Sequence, residues 1–197
     1  FLLMFNPRCL EEVNKEQERV LAERAKEFNG DISKVPLDFD LIGEMEYLQN
    51  CVKEVLRMYP PLIMLMRMAM DDIETTLDGK KYVIPKGDIC ITSPAVSGRL
   101  NDVFPNADKF EPERFGPERN EQKTPFAYLG FGAGRHACIG QQFGLLQVKT
   151  IMSLLVRNFK FESIDGIIPD PDFAAMVVGP KNHLMVRYTK LPNCSMQ

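Results

Sequence analysis

Phe131-Gly132-Ala133-Gly134-Arg135-His136-Ala137-Cys138-Ile139-Gly140 sets small residues on both sides of a single cysteine. Such residues leave the backbone bare enough to lie flat against a large planar body. Cys138 falls where a helix is expected to begin. Free N–H groups and the positive end of the helix dipole favour a thiolate there. Arg135 and His136 add positive or donor character, which suits a thiolate ligand to iron whose sulfur is tuned by N–H donors. A glycine-rich turn with a structural cysteine is the plainer alternative, and a lone cysteine at a helix start would leave it favoured. The register F-x-x-G-x-[RH]-x-C-x-G argues for the metal instead.

Working outward, the segment from Cys138 to Asn158 reads as a long helix with Ile139, Phe143, Leu146, Ile151, Leu154 and Leu155 on its buried side. Upstream, residues 101–134 are rich in proline, glycine, charge and aromatics, and so long an irregular stretch is usually functional. An earlier helix is expected over about Gly43 to Tyr59, with Met45, Leu48, Val52, Val55, Leu56 and Tyr59 buried and Pro60-Pro61 ending it. Glu54 and Arg57 share a face of that helix. Alone they would be a surface salt bridge of little value. A second arginine, from Pro112-Glu113-Arg114-Phe115, would make a network tying the irregular stretch to the helix.

Leu62 to Met70 reads as an extended, largely buried strand with Arg67 inside it. A buried arginine needs an anion; a haem propionate or an ordinary carboxylate would serve. Leu77-Asp78-Gly79-Lys80 is a hairpin turn between Ile73–Thr76 and Tyr82–Ile84, and Asp88–Thr92 is a further strand. Asn6-Pro7 opens the first long helix, as cap and first helical residue, and Asn29-Gly30 stops it. Its apolar row is Leu10, Val13, Val20, Leu21 and Phe28, with one polar lapse at Gln17. In the tail, Phe159–Phe161, Phe173–Val178 and Leu184–Tyr188 alternate as strands, the last two joined by a turn at Gly179-Pro180-Lys181-Asn182. The expected class is mainly α with small β-sheets.

The 197 residues carry 24 basic and 27 acidic side chains, a net charge of −3. That balance speaks against nucleic-acid binding, which needs a basic face. A hydrophobic content of 45% and a charged content of 26% fit a globular chain. No apolar run approaches the roughly 20 residues of a membrane span. The cysteines, Cys9, Cys51, Cys90, Cys138 and Cys194, form no C-x-x-C pair, so a zinc ribbon is not supported, and reduced thiols are the default. Asn193-Cys194-Ser195 fits a glycosylation pattern, which is discounted for a cytosol-facing chain.

Together, the E-x-x-R helix (Glu54, Arg57), the P-E-R-F element (Pro112 to Phe115) and the cysteine loop resemble the haem-thiolate monooxygenases of the cytochrome P-450 superfamily, in the family's order. The chain resembles the C-terminal part of that fold, residues 1–197 being part of a single domain whose upstream part is expected to be missing. His136 in the loop, Arg57-Met-Tyr-Pro-Pro-Leu-Ile-Met-Leu-Met-Arg-Met68, Gln147-Val-Lys-Thr-Ile151 and Met176-Val-Val-Gly-Pro180 are similar to the sterol 14α-demethylases within it.

The resemblance implies haem b (iron protoporphyrin IX) as cofactor, with Cys138 as axial ligand and catalytic centre. Phe131, Gly132 and Gly140 would pack around that ligand, and Arg67 and His136 would bind propionates. Glu54, Arg57 and Arg114 would form a structural network. Leu62, Met64 and Met66 on one strand face, with Met176 and Val177 from the tail, would line a sterol cavity; methionine suits a large curved apolar substrate. Thiolate donation favours O–O cleavage, and the implied reaction removes a sterol 14α-methyl group as formate. Implied partners are a sterol, an NADPH-dependent reductase and azole-type haem-ligating inhibitors. Arg135 and Lys149 could contribute to reductase docking, or be plain solvated charges. The implied location is the cytosolic face of the endoplasmic reticulum membrane, reached through the missing N-terminal part. The alternatives are a cytochrome P-450 acting on another lipid or xenobiotic, and an inactive truncated binding protein. Taken alone, the 197 residues are expected neither to hold haem stably nor to turn over.

Overall fold

A computed structural model describes residues 1–192, so Cys194 and the pattern around it lie outside the described residues. The helices are α1 (Leu2–Phe5), α2 (Pro7–Ala25), α3 (Phe39–Gly43), α4 (Glu46–Met58), α5 (Pro94–Ser97) and α6 (Gln141–Asn158). The strands are β1 (Leu65–Met68), β2 (Ile73–Leu77), β3 (Lys80–Ile84), β4 (Ile89–Thr92), β5 (Phe159–Ser163) and β6 (Val186–Lys190). They pair as three separate antiparallel ribbons, β1 with β4, β2 with β3 and β5 with β6. The architecture is mainly α with small sheets.

The core lies where α2, α4 and α6 converge, around Val13, Leu21, Met45 and Leu48. Pro7 opens α2, but the Asn6 amide donates back to the Leu2 carbonyl oxygen at 2.8 Å and makes no side-chain cap. At the other end Asn29 turns left-handed (φ 55°) and the Gly30 N–H donates to Ala25 O at 2.8 Å, closing the helix and its last 3-10 turn. Gln17 is buried, and its Oε1 accepts from Ser153 Oγ of α6 at 2.5 Å.

Several expectations are corrected. The second helix begins at Glu46, because the Asp38 carboxylate, accepting from Leu41 N at 2.9 Å, caps a separate helix α3 that ends at Gly43. Its buried row runs through Leu48, Cys51, Glu54 and Met58, while Val52 and Leu56 are half-buried. On α6 the buried row is Leu145, Lys149, Ser153, Val156 and Arg157, and Phe143, Ile151 and Leu154 face outward. Directional bonds explain this inversion: Lys149 Nζ reaches Gly43 O at 3.4 Å, and Arg157 Nη1 reaches Ile32 O at 2.7 Å and Val35 O at 3.1 Å. Apolar periodicity does not register a helix face docked through hydrogen bonds to carbonyl oxygens.

The strand expected over Leu62–Met70 forms at Leu65–Met68 alone and is exposed on both faces. It belongs to a two-stranded ribbon, and no layer of described residues stacks on it. In the tail, Phe173–Val178 forms no strand. Pro171 and Pro180 make a single bridge, proline supplies no ladder donor, and the Asp172 carboxylate turns the chain by accepting from Ala174 N at 3.0 Å. The hairpin β2–β3 forms as expected, with Asp78 (φ 50°) and Gly79 (φ 76°) giving the left-handed pair of a type I′ turn.

Candidate functional site around Cys138

The cysteine loop is shaped by two left-handed glycines, Gly132 (φ 71°) and Gly134 (φ 62°). A Cβ at Gly132 would stand 3.1 Å from the His136 carbonyl oxygen. One 3-10 turn, Gly134–His136, reverses the chain so that the Cys138 N–H donates to Phe131 O at 2.8 Å. Cys138 therefore does not head α6. It precedes Gln141 by one turn, its carbonyl oxygen accepts the Gln141 N–H at 3.3 Å, and its own N–H is spent inside the loop. Cys138 is exposed, three residues ahead of the 18-residue α6.

The donor set decides what this thiol could hold. Among the described residues no group of three or more His, Cys, Asp or Glu side chains could hold a metal ion. A metal at Cys138 takes one protein ligand and must bring the rest of its coordination sphere. A macrocyclic group that brings its own donors would meet this condition, and the residues beside the sulfur leave room for it: Gly140 offers no side chain beside Sγ, where a Cβ would lie at 3.8 Å, and Ile139 is fully exposed next to it.

Behind the loop stands a buried ionic network. Glu54 and Arg57 are paired by Nε–Oε2 at 2.7 Å and Nη2–Oε1 at 2.8 Å, and Arg114 Nε reaches Glu54 Oε1 at 3.1 Å. All three side chains are excluded from solvent. The remaining donors are satisfied by carbonyl oxygens: Arg57 by Gly98 (2.5 Å) and Lys109 (3.3 Å), Arg114 by Pro105 (2.6 Å) and Asn106 (2.8 Å). Glu121 accepts from Arg114 Nη1 at 2.9 Å, and the Glu111 N–H donates to Glu54 Oε1 at 2.9 Å. With Glu111 Oε2 also 3.3 Å from Arg114 Nη2, two arginines against three carboxylates and four carbonyls satisfy the condition under which burying such charges is tolerable. Gly98, Lys109, Glu111 and Glu121 escape a sequence reading. Two of them act through backbone oxygens, and acidic residues are too common in this stretch for any one to stand out.

Most of the other singled-out residues lie on the surface. Arg67 is exposed, sits opposite Cys90 in the β1–β4 register, and donates from Nη1 to Met66 O at 2.7 Å. This corrects the buried arginine expected from the strand pattern: the open ribbon leaves it in solvent. His136 is exposed, and Phe131 and Gly132 are half-buried. Leu62, Met64 and Met66 are about half-exposed and Met176 is 90% exposed, with Val177 beside it at 57%. The Val178 N–H donates to Pro61 O at 2.9 Å, which brings the 176–178 segment against the start of the methionine stretch. Lys149 is buried and cannot present a docking charge, whereas Arg135 is exposed.

Known proteins resemble this chain over most of its length. The sterol 14-demethylase of Arabidopsis thaliana is 49% identical over 157 residues, covering 78% of this chain and 32% of the relative. The obtusifoliol 14-alpha demethylase of Sorghum bicolor is 47% identical over the same shares. The lanosterol 14-alpha demethylase of Homo sapiens is 38% identical over 155 residues, 79% of this chain and 30% of the relative. The chain thus spans about a third of the length of these relatives. With a family model described as Cytochrome P450 matching residues 1–187, over the E-x-x-R helix, the P-E-R-F turn and the cysteine loop alike, the chain belongs to the cytochrome P450 family.

Proposed function

We propose that this chain forms the cysteine-ligand side of a haem-thiolate monooxygenase that removes the 14α-methyl group of a sterol. The observation that carries the reading is the exposed Cys138 thiol, flanked by glycines, in a region with no other cluster of metal-ligating side chains among the described residues. The named 14-demethylase relatives point to the sterol.

When bound, haem supplies the oxygen chemistry, and the protein supplies binding, orientation and electrostatics. In this reading the Cys138 thiolate would hold the haem iron. Phe131 holds the loop through its carbonyl oxygen, and Gly132 and Gly140 keep side chains off the sulfur's surroundings. Arg67 and His136, both free to reach a surface ligand, pair with propionates, and such charge-assisted bonds are stronger than neutral ones. Leu62, Met64 and Met66 with Met176 and Val177 form one apolar wall for the sterol, in contact through the Val178–Pro61 hydrogen bond. Glu54, Arg57 and Arg114 act at a distance, fixing the irregular segment behind the loop. Electrons come from an NADPH-dependent reductase, the complete enzyme sits at the endoplasmic reticulum membrane, and azole nitrogen bases compete for the metal. Among the described residues no helix is long and apolar enough to cross a membrane.

The test uses the complete, haem-loaded enzyme. Reduction under carbon monoxide is expected to give a thiolate-type difference band that Cys138→Ser abolishes. A 14α-methyl sterol should perturb the haem spectrum where fatty acids do not, and turnover should release formate. A band that survives Cys138→Ser overturns the ligand assignment. A fatty-acid response without a sterol response overturns the substrate and leaves a cytochrome P450 acting on another lipid.

A further inference from the structure

Between the buried ionic network and the cysteine loop lies a second, small core: Phe104, Ala107 and Ala127 are buried, with Val103 and Tyr128 packed against them. Its ties to the network are direct. The Arg57 guanidinium carbon lies 5.4 Å from the Phe104 ring centroid. Phe115, the residue after Arg114, meets Tyr128 edge to face, with centroids 5.1 Å apart and an interplanar angle of 70°. Such aromatic pairs stabilise beyond their area burial. On the other side, Tyr128 stands three residues before Phe131, whose carbonyl oxygen accepts the Cys138 N–H at 2.8 Å. The Gly132 N–H donates to Leu129 O at 3.0 Å, tightening the turn between them.

The tyrosine ring folds back over its own chain. A Cβ at Gly130 would fall closest to the Tyr128 hydroxyl oxygen, 2.5 Å from Cζ and 3.0 Å from Cε2 of the ring, so position 130 must be bare for the tyrosine side chain to take this place. The Tyr128 hydroxyl oxygen is buried and makes no hydrogen bond among the described residues. An unpaired buried hydroxyl costs stability, so the ring, not the hydroxyl, is what the site gains.

We propose that Tyr128 is a positioning residue for Cys138: its ring, clamped between Phe115 and the bare backbone of Gly130, sets the cysteine loop relative to the Glu54–Arg57–Arg114 network. The proposal rests on the haem-thiolate reading, because it assigns Tyr128 a role in holding the sulfur on the metal. Residues that orient a metal ligand from outside the coordination sphere typically change metal affinity or activity by about tenfold or more.

The experiment follows the carbon monoxide difference spectrum of the complete, haem-loaded enzyme during mild warming, with far-ultraviolet circular dichroism recorded in parallel. Tyr128→Phe is expected to keep the wild-type rate at which the thiolate-type band converts to the thiol-type band. Tyr128→Leu, which keeps bulk but loses the ring edge, and Gly130→Ala, which keeps the ring but pushes it aside, are expected to convert about tenfold faster while retaining helix content. Wild-type conversion rates in both of these variants would overturn the inference, as would a Tyr128→Phe enzyme that loses the thiolate band, since the hydroxyl would then be the positioning group. If Tyr128→Leu does not fold, Gly130→Ala decides alone by the same criterion. A wild-type enzyme with no thiolate band would instead overturn the functional reading, and this inference with it.

Discussion

Glu54 and Arg57 meet through two parallel hydrogen bonds, at 2.7 and 2.8 Å, with both side chains wholly excluded from solvent. The pair is one turn of α4 apart, so the helix itself fixes the geometry and little side-chain entropy is lost in making it. Removing the carboxylate leaves two buried guanidinium groups facing each other. Glu54→Ala is expected to cost roughly 3–5 kcal/mol, the penalty for an uncompensated buried charge, which is a large part of an ordinary domain's stability. Denaturant unfolding of the complete enzyme would measure it. Arg57→Lys should be nearly as harmful, because an ammonium cannot span Glu54, Gly98 and Lys109 at once.

Gly98 matters through its missing side chain. A Cβ there would lie 2.6 Å from the Arg57 carbonyl oxygen and 3.3 Å from Arg57 Cγ. Neither the helix backbone nor a fully bonded arginine can give way, so Gly98→Ala is expected to destabilise by about 1–3 kcal/mol, in the range of an overpacked core. The same unfolding measurement checks it, and a change within error would show that α5 can slide.

Glu16 of α2 caps a different helix. Its carboxylate accepts the Tyr47 N–H at 2.6 Å and the Leu48 N–H at 2.9 Å, at the start of α4. Two otherwise unpaired donors and the positive end of the helix dipole are met by one buried acid. Glu16→Ala is expected to lose about 1–2 kcal/mol, the upper range for a helix cap, with amide exchange accelerated first at Tyr47 and Leu48.

How much of this was legible follows from the kind of contact involved. The E-x-x-R spacing, the P-E-R-F turn and the cysteine loop are local words, and the Asp78-Gly79 turn writes its own conformation. The inward face of α6 was not legible, because Lys149, Ser153 and Arg157 dock through backbone and side-chain oxygens supplied from residues over a hundred positions away. Cys138 lies one turn ahead of the helix for a similar reason: its N–H is claimed by Phe131 O, a partner that no helical pattern announces. The methionine stretch reads as buried by composition, yet burial depends on what packs over it, and the ribbon it forms has two open faces.

Glu113, next to Arg114, carries a pH dependence. Burial works against its ionisation, but the Arg8 guanidinium, the backbone and the Tyr47 hydroxyl outweigh that and hold its carboxyl below the usual glutamate range. A carboxyl depressed in the folded state contributes stability that is fully present above its unfolded value, about 4.3, and is lost as pH falls through its folded value. Stability of the complete enzyme should therefore decline on acidification below about pH 4, and Glu113→Gln should flatten that decline. An unchanged acid limb in the variant would remove Glu113 as its source.

Arg135 and Lys149 separate surface charge from architecture. Lys149 is buried, reaches Gly43 O at the end of α3, and burial lowers its pKa against the opposing pull of Glu16 and Glu46. Lys149→Ala is expected to cost roughly 1–3 kcal/mol, since it removes a buried side chain together with its hydrogen bond and leaves a void, while the salt dependence of reductase association stays as in the wild type. Arg135 is exposed on the cysteine loop. On the proposed function, Arg135→Ala should leave stability within about 0.5 kcal/mol, and slow reductase association in a way that fades at high salt, because a rim charge acts on the encounter rate. Stopped-flow reduction of the two variants across a salt series distinguishes the roles. A salt-dependent defect in the Lys149 enzyme, with none in the Arg135 enzyme, would reverse the assignment.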